Sequence, residues 1–184
     1  MKKILLATNS EYGQANVFLA VAHSLQALDS DVHIHVASFA PISEGVLCAS
    51  EYSTQCTQNA QPWQFHLLDG PGHLEALRAK QRSAQVEDAL QKPPNLVSTT
   101  KVLSMLMSVM LSWNGPEFVQ VYKSFVSIVD EVQPDMIVVD SLLSPVLTAC
   151  RHLKFSHLIL SPNTLKDFAA ALQPRGAMFW KYPV

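Results

Sequence analysis

The sequence has few charged residues and no excess of one sign, which excludes several classes of function. Charged residues make up 15% of the 184 residues, the formal net charge is −2, and the basic residues are scattered. A nucleic-acid partner requires a concentrated basic surface, so nucleic acid is not expected as a partner. The hydrophobic fraction of 48% is too high for a disordered chain, and the length allows one domain with its own core.

Cysteine is scarce and the common phosphate-binding loops are absent. The three cysteines, Cys48, Cys56 and Cys150, lie at unrelated spacings, which predicts reduced and mostly buried thiols. No GxGxxG pattern occurs, and no Lys-Ser or Lys-Thr pair comes directly after the Gly-Pro-Gly at 70–72. A flavodoxin-like or other nucleotide-binding α/β domain therefore stays a weaker alternative for the function of the chain.

Long hydrophobic runs are also missing. The apolar run after Met1-Lys2-Lys3 covers only Ile4–Ala7, whereas a signal peptide needs about 7–15 apolar residues. The methionine-rich stretch Val102–Trp113 is shorter than the roughly 20 residues that span a bilayer. We expect a cytoplasmic chain without a transmembrane segment, and an interfacial helix with peripheral membrane contact stays open as an alternative.

The first twenty-eight residues predict a strand, a polar loop and a helix. Ile4–Ala7 is a short apolar run, typical of a strand buried on both faces of a parallel sheet. From Asn16 the apolar residues recur at helical spacing, which predicts a helix whose core-facing stripe is Val17, Val21, Leu25 and Leu28.

The loop between this strand and helix is the first candidate site. Open α/β domains place their chemistry where a strand ends and feeds a helix. Glu11, Gly13 and Gln14 lie in that loop and are expected to meet a ligand.

A second strand follows at 32–38, in which His33 and His35 alternate with apolar residues. Two histidines on one strand face could ligate a metal, but no third ligand of similar quality is near, which favours partly covered histidines and no metal. The next segments predict a weak helix over 42–58, a strand over 63–68, a Gly-Pro-Gly turn and an exposed helix over 73–90.

The segment Leu96–Val132 is the most apolar long part of the chain and is divided at Asn114-Gly115-Pro116. Its apolar residues recur at helical spacing and favour a core role, while a wall of an adaptable apolar binding pocket is the alternative. The residues of this stripe are Val102, Met105, Leu106, Val109, Met110, Trp113, Phe118, Tyr122, Phe125 and Val129.

A second strand–helix–strand unit closes the pattern. A strand at 136–139 ends at Asp140, a helix is predicted over 142–153, and a strand at 157–160 ends at Ser161-Pro162-Asn163. This alternation predicts one α/β domain over 1–184, a Rossmann-like parallel sheet with helices on both faces. Asp140 is expected either to cap the next helix or to act as a functional carboxylate, and both roles stay open.

Four segments carry a resemblance to a known family. Lys3–Thr8, Gly13–Ala20, Pro134–Asp140 and Leu160–Asn163 resemble, in this order, the N-terminal half of UDP-dependent glycosyltransferases of the GT-B fold class. The resemblance implies an acceptor-binding domain for a small apolar or lipid-like acceptor. The residues that it places at the acceptor are Gly13, Asn16, Met105, Met110, Trp113, Phe118, Ser161 and Asn163.

The resemblance also implies an inverting mechanism in which a histidine after the first strand takes the acceptor's proton and an aspartate orients that histidine. Asp140 stands at the aspartate's position, but Gln14 stands at the histidine's position. A glutamine amide cannot accept a proton near neutral pH, and losing a general base removes about 10²–10⁴-fold in rate. Glu11 as a substitute base and Asp140 as a direct base are both open hypotheses.

In the family that this chain resembles, the UDP-sugar donor is held mainly by a C-terminal half, which is absent from these 184 residues. The resemblance therefore implies a chain that binds no cofactor by itself and is inactive, or nearly so, until a donor-binding half completes it in cis or in trans. Its activity as an enzyme stays open. The alternative is a non-catalytic binding module for an apolar ligand or partner protein, including one chain of a split transferase.

Overall fold

The structure is a computed structural model that describes residues 2–79 and 111–162. Within them the chain alternates between strands and helices as the sequence predicts. The elements are β1 (Lys2–Ala7), α1 (Tyr12–Leu28), β2 (Val32–Ser38), a 3₁₀ turn (Ala40–Ile42), α2 (Ser43–Cys56), β3 (Gln64–Leu67), α3 (His73–Ala79), α4 (Gly115–Val132), β4 (Met136–Asp140), α5 (Ser144–His152) and β5 (His157–Leu160).

The five strands form one parallel sheet in the order β3-β2-β1-β4-β5. The central strand β1 pairs with β2 through Leu6 and Val36, and with β4 through Leu6 and Val138. Because the chain winds outward from β1 in both directions, polar loops from both halves of the sequence meet at the carboxyl ends of the central strands. The predicted Rossmann-like fold is confirmed.

Two apolar layers cover the two faces of the sheet. One face carries α1 and α2, whose buried side chains pack with Leu6, Ile34 and Val36. The other face carries α4 and α5, which pack on Leu5 and Val139. Burial of such apolar surface from both faces is the main source of stability for the sheet, because each buried side chain contributes about 1.5–3 kcal/mol.

Helix α1 is rotated away from the orientation that its apolar spacing predicts, and it begins at Tyr12 rather than Asn16. The predicted core stripe was wrong: its last member, Leu28, is 85% exposed. The other members lie along a groove of about 460 Å³ on the outer side of the helix, and the stripe that is buried instead is Ala15, Phe18, Ala22 and Gln26.

A buried glutamine explains this rotation. The side-chain oxygen of Gln26 accepts hydrogen bonds from the Ser53 hydroxyl at 2.7 Å and from the Trp63 indole N–H at 2.9 Å. Its Nε2 group donates to the Gln61 carbonyl at 2.6 Å. A fully satisfied polar group can be buried at little cost, and the two alanines allow α1 to pack close to the sheet.

Three smaller expectations need correction or lie partly outside the described residues. Only Cys150 is buried, whereas Cys48 and Cys56 on α2 are exposed, so the thiols are not mostly buried. The helix predicted as exposed over 73–90 is described as far as Ala79, and one side of it, including Ala76, is buried. No helix within 2–79 and 111–162 is long and apolar enough to cross a membrane.

The apolar stripe of the helical middle is described in its second half. Trp113 and Phe125 are buried in the core, and Phe118 and Tyr122 are half-buried against it. The core role is therefore confirmed for this half. The members between Val102 and Met110 lie outside the described residues.

The histidines of β2 lie on the face of the sheet that α4 covers. His35 is 5% exposed, and its Nδ1 lies 3.0 Å from Nε2 of His66 on β3. Within the described residues no group of three His, Cys, Asp or Glu side chains is arranged to hold a metal ion. Burial lowers the pKa of His35 to about 4, with further lowering by the charges of His66, Lys3 and His33. Burial also lowers the pKa of His66, against the charge of Glu131.

This burial predicts a loss of stability in mild acid. Because His35 has a pKa of about 4 when folded and 6.5 when unfolded, the unfolded chain binds the proton first, and the free energy of unfolding falls as the pH drops from 6.5 to about 4. The loss that His35 contributes is as much as about 3 kcal/mol.

The variant His35→Asn tests this, because its amide keeps a polar atom near Nδ1 and does not titrate. Urea unfolding at about pH 8 gives the packing cost of the substitution alone. The wild type's advantage in free energy of unfolding over the variant is expected to shrink or reverse toward pH 4. If the two free energies of unfolding ran parallel from pH 8 to pH 4, the prediction would be contradicted.

Candidate functional site

The polar loops after β1, β4 and β5 meet at one edge of the sheet, as their positions after buried strands predict. Asn9 follows β1 and contacts Asp140 at the end of β4, across 131 residues of sequence. Beside them, the hydroxyls of Ser141 and Ser161 lie 3.0 Å apart and link the loops after β4 and β5. The bends at Gly13 and Asp140 thus open on the same edge of the sheet.

Asp140 is fully buried and all its hydrogen bonds come from the backbone or from one amide. Its Oδ2 accepts the backbone N–H of Asn9 at 3.3 Å and the Asn9 side-chain amide at 3.2 Å. Its Oδ1 accepts the backbone N–H of Leu142 at 2.9 Å. Since α5 begins at Ser144, the carboxylate fixes the turn before the helix rather than capping the helix itself.

Gln14 joins this constellation through Asn9. The Asn9 amide donates a second hydrogen bond, to the Gln14 side-chain oxygen at 3.3 Å. Asp140, Asn9 and Gln14 therefore form a relay of one carboxylate and two amides, and Asn9 contacts both of the other members. The relay holds no histidine.

Burial is the main influence on the Asp140 carboxyl and raises its pKa. The hydrogen bonds from Leu142 and Asn9 oppose this, while the negative charge of Glu11 adds to the rise. A carboxylate enclosed by three N–H groups and shielded from solvent can orient a neighbour, but an acceptor molecule cannot reach its oxygens directly. The geometry thus disfavours Asp140 as a direct base.

Glu11 lies at the mouth of the neighbouring cavity. It directly precedes α1 without capping it, because its Oε1 accepts the backbone N–H of Leu74 at 3.1 Å. A cavity of about 500 Å³ opens here, and it is lined by Ser10, Glu11, Tyr12, Pro41, Gly72, Leu74, Glu75 and Arg78.

The loop after β3 closes tightly against this region. Gly70 has a φ of 115°, which L side chains rarely adopt. A Cβ at Gly72 would lie 3.0 Å from the Ser10 hydroxyl. Glycine at position 72 lets the loop pass close to the chain that leaves β1, and at Gly70 a Cβ would lie 3.0 Å from the Val121 side chain of α4.

Two expected acceptor residues line a second, smaller cavity. Trp113 and Phe118 border a space of about 260 Å³ at the start of α4, which also contains Ser144. The Trp113 indole N–H donates to the Pro71 carbonyl at 2.8 Å, which fixes the ring against the loop after β3. The Ser144 hydroxyl is buried and has no hydrogen-bond partner among residues 2–79 and 111–162.

The remaining candidates are placed differently. Gly13 lies in the first turn of α1, where a built Cβ would meet nothing within 4 Å. Asn16 is exposed and lines the outer groove of α1 with Val17 rather than either of the other two cavities. Met105, Met110 and Asn163 lie outside the described residues.

No role was predicted for Asn9, which the structure places at the centre of the relay. A polar residue directly after a buried strand is a signal that could have been used, because its side chain must find a partner at the sheet edge. Thr8 and Asn9 are both buried, and the Thr8 hydroxyl oxygen and Asn9 Oδ1 lack a partner within the described part of the chain.

Comparisons with known proteins bear on the family. No protein-family model matches the chain. The curated glycosyltransferase sdnJ from Sordaria araneosa is 26% identical over 185 residues, which covers 98% of this chain and 36% of the relative. The chain therefore spans only about a third of the length of this relative.

Solved structures share the fold. The glycosyltransferase SsfS6 from Streptomyces sp. SF2575 matches with a TM-score of 0.56 at 12% identity, over 88% of this chain and 39% of that one. The glycotransferase of kitacinnamycin matches with a TM-score of 0.52 at 13% identity, over 97% and 38%. The glycosyltransferase VinC in complex with dTDP matches with a TM-score of 0.51 at 12% identity, over 89% of this chain and 35% of that one.

The predicted resemblance is thereby confirmed in sequence and in fold. The chain is homologous to a glycosyltransferase and has the Rossmann-like α/β fold of GT-B glycosyltransferases, of which it spans only a part, consistent with their N-terminal domain.

Proposed function

We propose that this chain is the acceptor-binding half of an inverting nucleotide-sugar-dependent glycosyltransferase, inactive or nearly so until a donor-binding half completes it. The observation that carries the proposal is the relay of Asp140, Asn9 and Gln14 at the sheet edge, beside a cavity of about 500 Å³. Asp140 occupies the place that the resemblance gives to the orienting aspartate. The acceptor is a small apolar or lipid-like molecule, and the donor is a UDP-sugar or a related nucleotide sugar.

Gln14 sets the level of activity in this proposal. Its amide can bind an acceptor molecule by hydrogen bonds but cannot take a proton from it. Glu11 and Glu75 are the carboxylates of the cavity lining. Glu11, which is the nearer of the two in sequence to Gln14, could act as a base, although one of its oxygens already accepts the Leu74 N–H. Transfer to a hydroxyl acceptor is therefore expected to be slow even in a completed enzyme.

A second candidate is a binding module that never transfers sugar. The observation that favours it is the contact of Asn9 with both Asp140 and Gln14, because no proton acceptor is then oriented by the carboxylate. In this case the apolar ligand or partner protein would bind at the same edge, and nucleotide sugars would have no effect.

The first test joins or mixes the chain with the donor-binding half of VinC and measures transfer from dTDP- and UDP-sugars to a panel of apolar acceptors. The control joins the two halves of VinC itself at the matching position, which shows whether the junction permits turnover. Absence of transfer to any acceptor, with an active control, would remove the catalytic proposal and leave the binding module.

In the completed enzyme, Asp140→Asn is expected to lower the transfer rate by about 10²-fold or more. The reason is that the neutral asparagine side chain lacks the negative charge with which Asp140 orients the relay. The matched control is Asp135→Asn. Asp135 also accepts a backbone N–H of β1, from Lys3 at 2.8 Å, but at the opposite edge of the sheet. Its loss should leave the rate unchanged, and circular dichroism should show both variants folded. Equal rates for the two variants would contradict a role for Asp140.

Gln14→His is expected to raise transfer to hydroxyl acceptors by about 10²-fold, because an imidazole supplies the missing general base. The pH–rate profile should then acquire an inflection near the ordinary histidine pKa of about 6.5. Gln55→His, on the exposed side of α2, is the control. A flat response at position 14, together with a loss in Asp140→Asn, would mean that Gln14 does not stand at the base position.

A further inference from the structure

The smaller cavity at the start of α4 is bordered by a residue whose hydroxyl has no partner. The Ser144 hydroxyl oxygen is shielded from water and makes no hydrogen bond within residues 2–79 and 111–162. Buried polar groups in this state are rare in folded proteins, because they lower stability. The Ser144 residue as a whole is only half-buried and borders the cavity. Rotation about its χ1 angle breaks no hydrogen bond of this oxygen, so a ligand can draw the hydroxyl into the cavity.

A second polar group of the same lining can only donate. Asn114 caps α4, and its side-chain oxygen accepts the backbone N–H of Glu117 at 2.9 Å. The NH₂ group of Asn114 makes no hydrogen bond in the described part of the chain. The group that Asn114 offers to a ligand is therefore a donor, and the Ser144 hydroxyl can donate as well. Both residues thus suit a ligand oxygen that accepts, such as the oxygen of a ketone.

The rest of the described lining is uncharged and largely apolar. It consists of Leu111, Trp113, Gly115 and Phe118. The Trp113 indole N–H donates to the Pro71 carbonyl at 2.8 Å, so the ring is held in place and offers a ligand its apolar surface. A cavity of about 150 Å³ is large enough for benzene, and this one measures about 260 Å³. It therefore has room for one neutral aromatic ring with a small substituent.

A tight turn joins this cavity to the relay. The Leu143 N–H donates to the Asp140 carbonyl at 3.1 Å, and Ser144 follows directly as the first residue of α5. The first and fourth Cα atoms of such a turn lie within about 7 Å, and the next Cα atom is about 3.8 Å farther along the chain. The Cα atoms of Asp140 and Ser144 are thus separated by at most about 11 Å. A ligand of one ring with a short arm can span this distance.

We propose that the smaller cavity binds a neutral aromatic ketone unit of the acceptor, whose carbonyl oxygen accepts hydrogen bonds from Ser144 and Asn114. The proposal rests on the proposed function and names the chemistry of its acceptor. The ring of the acceptor contacts Trp113 and Phe118, and the hydroxyl that receives the sugar extends past the turn at 140–143 toward the relay. The ketone anchors the acceptor and takes no part in the transfer step.

Two probes that differ only at the ketone test this anchor. 4-(Hydroxymethyl)acetophenone carries the C=O group, and 4-isopropenylbenzyl alcohol has a C=CH₂ group of the same shape in its place. The ¹⁵N-labelled 184-residue chain is titrated with each probe. The readout is the Trp113 indole N–H signal, assigned by its loss in Trp113→Phe or by elimination of the Trp63 and Trp180 signals.

The ketone is expected to bind about fivefold more tightly than the alkene, because it gains hydrogen bonds that the alkene cannot make. The alkene is the more apolar probe, so a cavity that selects by apolar contact alone would prefer it. Equal affinities, tighter binding of the alkene, or no shift of the Trp113 signal with either probe would overturn the proposal.

Substitution of the two donors tests their assignment. Ser144→Ala removes the unpartnered hydroxyl, so the preference for the ketone is expected to fall at least twofold without a loss in the free energy of unfolding. Asn114→Asp keeps an oxygen that caps α4 and removes the NH₂ group, so it should weaken binding of the ketone more than that of the alkene. Ser127→Ala, at an exposed position of α4, is the control and should change neither affinity. Retention of the full preference in Ser144→Ala or in Asn114→Asp would overturn the role of that residue.

A ligand with a hydroxyl in place of the ketone is the rival occupant. The third probe is therefore 4-(1-hydroxyethyl)benzyl alcohol, which carries an O–H where the first probe has C=O. A ketone oxygen can accept from both donors at once, whereas the hydrogen of this alcohol needs an acceptor that the Asn114 NH₂ group cannot provide. The alcohol is expected to bind more weakly than the ketone. Tighter binding of the alcohol would overturn the ketone as the anchoring group.

The transfer test separates this proposal from the proposed function. In the completed enzyme, or in its Gln14→His variant where transfer is slow, kcat/KM for transfer to the benzylic hydroxyl is expected to be about fivefold higher for the ketone than for the alkene. This ratio should fall in Ser144→Ala. Equal values of kcat/KM for the two probes would overturn the ketone anchor and leave the proposed function standing. Ketone-selective binding without transfer to any acceptor would support the ketone site and count against the proposed function.

Discussion

The hydrogen bonds between Asp140 and Asn9 are the contact on which the arrangement of the cleft depends. They join the ends of β1 and β4, which are neighbours in the sheet but 131 residues apart in sequence. Burial makes this carboxylate costly unless every oxygen is satisfied, and three N–H groups provide that. The same contact ties the two strand–helix units together, and through Asn9 it also holds the side-chain oxygen of Gln14.

Relatedness to glycosyltransferases does not by itself make this site a transferase centre. The fold supplies a sheet edge and a cavity, while the chemistry depends on the few side chains placed there. Under the proposed function, a chain with Asp140 in place and with Gln14 where a histidine is expected retains the means to orient a group and lacks the means to remove a proton. The choice between a slow transferase and a binding module therefore depends on position 14.

The order of the strands and helices could be predicted from the sequence, because apolar runs and polar breaks alternate clearly from Ile4 to Leu160. The convergence of Gln14 and Asp140 followed from the rule that parallel strands end at the same edge. The rotation of α1 could not be predicted, since apolar spacing favours Val17 and a buried glutamine has no local signal. Asn9 was missed for a similar reason: its role depends on a partner 131 residues away.

Gln26 extends the influence of the core to the cleft. Its hydrogen bonds with Ser53 and Trp63 fix the rotation of α1 about the helix axis. Gln14 lies twelve residues earlier on the same rigid helix, about 18 Å along it. A small turn of α1 at one end therefore displaces the amide at the other. Substitutions around the Trp63 ring would therefore shift the position of the Gln14 amide without changing any residue of the relay.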